Sequence, residues 1–153
     1  MKKIYPVIFL ITVFCSTVFA SSYRATRGSL DLKGVTLKLA HARVFNFRPK
    51  PRSFIHTYII FAAHKGYLVK SDSYIIYNKK KVILKTDRYY QKKKGFYTRL
   101  EKTISRKHIR KFQINITVYN VNDNKTFVIK KTIKASFDPS GGLRNWKLKL
   151  KEI

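Results

Sequence analysis

The chain has 153 residues, and its 34 Lys and Arg against 7 Asp and Glu give a formal net charge of +27. That length supports one domain with a real hydrophobic core, and the charge favours polyanions as partners while opposing compaction by self-repulsion. A single cysteine excludes an internal disulfide framework and a cysteine-rich metal site.

The first twenty residues have the three-part layout of a secretory signal. Met1-Lys2-Lys3 is positive, Ile4 to Phe14 is apolar apart from Thr12, and Ser16 to Ala20 ends on small residues. Val18 and Ala20 take the −3 and −1 places of a cleavage site before Ser21. The alternative is an uncleaved membrane anchor, but Ile4 to Ala20 is 17 residues, short of the about 20 that span a bilayer. Cys15 follows Phe14, whereas a lipidated cysteine normally follows a small residue. The expectation is export to the periplasm or beyond.

Cleavage removes Cys15 together with Lys2 and Lys3, taking the charge from +27 to +25. Export permits disulfides, yet this domain would have none, so its stability must rest on core burial. Lysine supplies 24 of the 34 basic residues. Lysine is a hydrated point charge rather than a planar fork, so anion binding is expected to be electrostatic and weakly specific. AT-rich coding would produce the same Lys, Asn, Ile and Tyr bias without any function.

After a short polar arm, Ser21 to Gly28, residues 29–153 read as one domain dominated by period-two alternation. Val35, Leu37 and Leu39 alternate with Thr36 and Lys38. His56 to Ala63 is more continuously apolar, as are Tyr74–Tyr77 and Val82–Leu84, with Asn78 to Lys81 as the turn between those two. Phe96, Leu100 and Ile104 fit a helical spacing, but Thr98, Thr103 and the surrounding pattern favour a strand. Phe112, Ile114, Ile116 and Val118 form the clearest strand, and Asn120 to Asn124 follows it as a hairpin loop. Phe127, Ile129 and Ile133 share a face that Lys131 interrupts. Asp138 to Gly142 is a loop, and Trp146, Leu148 and Leu150 then alternate with Lys147, Lys149 and Lys151. About eight strands with regular turns imply an all-β antiparallel sandwich, loosely immunoglobulin-like. The alternatives are an open barrel, or α+β if 96–108 is helical. Residues Gly28 to Ala42 are similar in style to exported bacterial β-domains that open strand, glycine turn, strand; that resemblance implies no activity.

No catalytic set stands out. His41, His56, His64 and His108 match no zinc signature, and His56 and His64, eight residues apart on a strand, would be about 26 Å from each other. Asp31, Asp72, Asp87, Glu101, Asp123, Asp138 and Glu152 include no pair marked for glycosidase chemistry. There is neither a G-x-S-x-G elbow nor a phosphate loop. The chain is therefore read as a non-enzyme without a cofactor or metal.

Basic residues interleave with aromatics from Arg88 through Lys92, Lys93 and Lys94 to Tyr97, a pattern suited to stacking beside cations. A second cluster is Arg106, Lys107, Arg110 and Lys111, and a third, on an expected loop, is Arg43, Arg48, Lys50 and Arg52. The first two are the candidate polyanion-binding residues. The partner would be envelope lipid, acidic polysaccharide or nucleic acid. The rival reading is a protein–protein module (envelope component, adhesin or secreted effector) whose charge is incidental. Sequons at Asn115 and Asn124 do not discriminate.

Overall fold

The alternation seen in the sequence becomes a β-sandwich. The computed structural model describes residues 23–46, 52–86, 96–97, 99–105, 107–138 and 147–153; the expected leader, Met1 to Ala20, lies outside them. The strands are β1 (Tyr23–Leu32), β2 (Val35–Asn46), β3 (Arg52–Ala63), β4 (Tyr67–Lys70), β5 (Tyr74–Tyr77), β6 (Lys80–Ile83), β7 (Lys85–Thr86), β8 (Phe96–Tyr97), β9 (Arg99–Ile104), β10 (Lys111–Asn120), β11 (Lys125–Asp138) and β12 (Lys147–Glu152). Five of them form one sheet in the order β1-β2-β3-β9-β7. The other seven form a second sheet, β12-β11-β10-β4-β8, with β5 on β10 and β6 on β5. Every pairing is antiparallel. The strands number more than the eight expected because β4, β7 and β8 are fragments of two to four residues, too short to show a period.

The core lies where the inward sets of the two sheets meet. Leu37, Leu39, Ile59, Phe61 and Leu100 come from the smaller sheet, and Val69, Ile75, Ile116, Val118 and Ile133 from the larger. Ile109, on the segment that crosses between the sheets, completes it. Thr57, fully buried on β3, ties that crossing down: its Oγ1 donates to the Lys107 carbonyl at 2.7 Å and accepts from the Ile109 N–H at 3.1 Å. The hydroxyl thus satisfies two backbone groups that burial would otherwise leave unpaired.

Two expectations are corrected. Six residues of the expected arm, Tyr23 to Gly28, are in β1, paired residue by residue with β2 from Tyr23↔Val44 to Gly28↔Leu39. The polar composition suggested an arm, but an edge strand needs only one apolar face. Gly28 is there because the sheets close on each other: a Cβ at this position would collide with the Leu148 backbone. Arg43 and Arg52, expected on a loop, belong to β2 and β3.

The turns follow their residue chemistry. Asn78 and Lys79 both have positive φ, 49° and 60°, which makes a two-residue mirror-image turn between β5 and β6. That turn is shorter than the expected Asn78 to Lys81. Val121 to Asn124 link β10 to β11, with the Asn122 N–H donating to Asn120 Oδ1 and Asn120 Nδ2 donating to Asp123. β4 and β5 lie end to end along β10, and at the break Ser73 Oγ accepts the Thr117 N–H at 3.0 Å.

One edge is half covered. β12 pairs with β11 only from Ile133 to Asp138, and the Ile153 N–H adds a bond to the Thr132 carbonyl. Among the described residues, no strand continues alongside the first half of β11. Lys131 falls at the junction, on the inward-pointing set, where its Nζ meets Glu152 at 3.0 Å.

Candidate functional site

The outer face of the seven-stranded sheet carries a lattice of lysines. On β12, Leu148 and Leu150 are buried, so Lys147, Lys149 and Lys151 point outward. The register then sets Lys151 against Lys134 on β11, and Lys134 against Lys111 on β10. Three lysines stand in one row across three adjacent strands, about 4.8 Å from strand to strand. Lys130 and Lys81 extend the lattice, the latter with its Nζ 4.2 Å from the Tyr74 ring centroid. Among the described strand residues pointing out of this sheet, Asp138 opposite Lys147 is the one carboxylate.

Between the charged rows lie polar and apolar groups. Gln113, Asn115 and Thr132 share the face, with Asn115 Nδ2 donating to the Tyr74 hydroxyl at 2.7 Å. Ile76, Gln113, Asn115, Lys130, Thr132 and Ile153 line a groove across it. The outer face of the five-stranded sheet differs in balance. Arg27, Lys38, Lys85 and Arg99 share that face with Asp31 and Glu101, Lys85 paired opposite Glu101 and Arg99 3.4 Å from it. Positive charge on the described residues is therefore concentrated on one sheet.

Of the expected anion-binding residues, Lys111 joins the cross-strand row. Lys107 and Arg110 lie instead on the crossing segment, exposed, with the Arg110 guanidinium 5.7 Å from the Phe137 ring centroid. Arg88, Lys92, Lys93, Lys94 and Arg106 lie outside the described residues, as do Arg48 and Lys50. The lysines that build the lattice were visible as outward alternation in β12, but nothing local announced that β10, β11 and β12 would bring them level.

The histidines sit in three different environments. His41 is buried on β2 and its Nε2 contacts the Ile109 carbonyl at 2.8 Å. A carbonyl only accepts, so Nε2 carries the proton. Nδ1 is buried without a partner. Burial and then the neighbouring His108 hold its pKa down to about 4, against an opposite push from the Ile109 hydrogen bond, with Arg110 adding the smallest, lowering contribution. The His108 ring stands edge-on at 3.8 Å between centroids, its own pKa lowered by burial and by Arg110. His56 lies on β3, with its Nδ1 likewise buried and unpartnered.

His64 belongs to a polar chain at one end of the sandwich. Thr36 Oγ1 donates to Asp31 Oδ1 at 2.6 Å and contacts His64 Nε2 at 2.7 Å. With the hydroxyl proton given to Asp31, His64 is the donor to Thr36. That direction opposes activation of Thr36 as a nucleophile, which needs the imidazole to accept. No group of three or more potential metal ligands occurs among the described residues. No family model, curated protein or solved structure matches this chain.

Proposed function

We propose that this is an exported, non-enzymatic binding protein that holds anionic polymers or surfaces on the outer face of its seven-stranded sheet. The observation that carries the reading is the Lys111–Lys134–Lys151 row, flanked by Lys149 and Lys130. Like charges directly opposite on neighbouring strands destabilise a sheet, by roughly 0.2–1 kcal/mol per pair. Here two such pairs adjoin with no carboxylate set between them. A lattice about 4.8 Å by about 6.7 Å matches many anions spread over a surface better than one small ligand in a pocket. Binding would proceed by counterion release and weaken steeply with salt.

The test is heparin affinity as a function of salt for Lys134→Glu/Lys149→Glu/Lys151→Glu, compared with Arg27→Glu/Lys38→Glu/Lys85→Glu on the opposite sheet. Both triples change net charge equally. The first should lose at least about tenfold in affinity and flatten the salt slope by about 3, and the second much less. Equal losses would show that only total charge matters and would remove the face from the argument.

A further inference from the structure

Five large apolar side chains are more than a third exposed among the described residues: Tyr58, Ile83, Val121, Val128 and Ile153. Three of these belong to the lysine face. Ile83 pairs with Tyr74 and Val128 with Thr117, both in outward register, and Ile153 lines the groove beside Lys130 and Thr132. Their exposures are 62 %, 50 % and 59 %. Singly exposed aliphatics are ordinary; here each of the three stands next to lysines on the same sheet face, a mixture that is the composition of a membrane-interface surface, on a sheet instead of a helix.

We infer that this face binds anionic lipid bilayers, with its lysines at the headgroups and Ile83, Val128 and Ile153 entering the acyl boundary. The inference rests on the reading of the face as an anion-binding surface and names its partner. A sulfated polysaccharide or a nucleic acid backbone would satisfy the lysines and leave the three aliphatics in water. A lipid surface satisfies both, since the lysines attract anionic headgroups and the aliphatics gain by leaving water. Charge complementarity selects anionic over zwitterionic lipid.

The experiment compares the protein with its Ile83→Thr/Val128→Thr variant, which keeps β-branching and charge. Three probes are used: vesicles of equal parts phosphatidylglycerol and phosphatidylcholine, vesicles of phosphatidylcholine alone, and heparin. Retained heparin affinity and an unchanged far-ultraviolet spectrum report that the variant folds. The inference expects binding to the anionic vesicles and none to phosphatidylcholine. The double variant should lose about tenfold in vesicle affinity, from two half-exposed side chains, with heparin binding unchanged. Vesicle binding that is identical in both proteins overturns the insertion. Heparin binding without anionic-vesicle binding overturns the lipid partner and leaves the anion-binding face standing, whereas absence of binding to both heparin and the anionic vesicles removes both readings.

Discussion

Acidification from about pH 7 to about pH 5 should cost this fold about 2 kcal/mol through His41 alone. In the unfolded chain the imidazole takes up its proton near 6.5; in the folded protein burial, His108 and Arg110 delay that until about 4. A depressed imidazole pKa means that the folded state prefers the neutral ring. The stability is therefore complete above 6.5 and is lost as pH falls towards 4. A pKa unit is worth about 1.4 kcal/mol, so the full loss approaches about 3 kcal/mol. His108 adds to it in the same direction, because its pKa is also lowered. The variant to compare is His41→Gln, whose amide can still donate to the Ile109 carbonyl but does not titrate. Urea unfolding across this range should show a steeper acid loss in the native protein, the difference reaching about 2 kcal/mol by about pH 5. Parallel curves would refute the argument, and so would an NMR titration of His41 with its midpoint near 6.5.

Three further outcomes follow from the packing. Thr57→Val, nearly isosteric, strips the hydrogen bonds from the Lys107 carbonyl and the Ile109 N–H; chemical denaturation should register a loss of about 3 kcal/mol, and a loss below about 0.5 kcal/mol contradicts the anchoring role. Lys79→Gly relieves a side chain held at φ 60° and should raise the thermal midpoint, by about 0.5–1 kcal/mol in stability; a lowered midpoint would speak against the turn geometry. Lys134→Thr breaks the lysine row at its centre. It should stabilise the protein at low salt by up to about 1 kcal/mol, with the gain fading at high salt, while reducing heparin affinity. A salt-independent change would mean that the row is not under electrostatic stress.

Architecture was legible where one face of a strand is buried and the other wet. β10 shows this best, since Phe112, Ile114, Ile116 and Val118 all enter the core. The segment around Leu100, which could have been a helix, is strand β9, because Leu100 must face inward opposite Phe61 on β3. Register was not legible. Whether Lys111, Lys134 and Lys151 stand level or scattered depends on pairings between residues far apart in sequence, and a shift of one residue would separate them. The same limit hid the role of His41, whose environment is made by His108 and Ile109, more than sixty positions along the chain. Lys131 is a case where the pattern carried more than it disclosed: a lysine breaking an apolar row looked like an irregularity, and it marks where β12 ends.

That lysine bears on solubility as well as on shape. An uncovered stretch of strand exposes backbone donors and acceptors to any passing extended chain, including another copy of the same protein. Beyond Thr132, the first half of β11 is such a stretch among the described residues. An incoming strand would have to settle its inward side chains beside a charged ammonium already committed to Glu152, and a second copy would bring its own. The half-covered edge thus carries a lysine in its inward alternation, at the cost of a gap in a row that is apolar at Phe127, Ile129 and Ile133. Chains concentrated against an anionic surface would be crowded together, and there a guard against strand exchange has its greatest use.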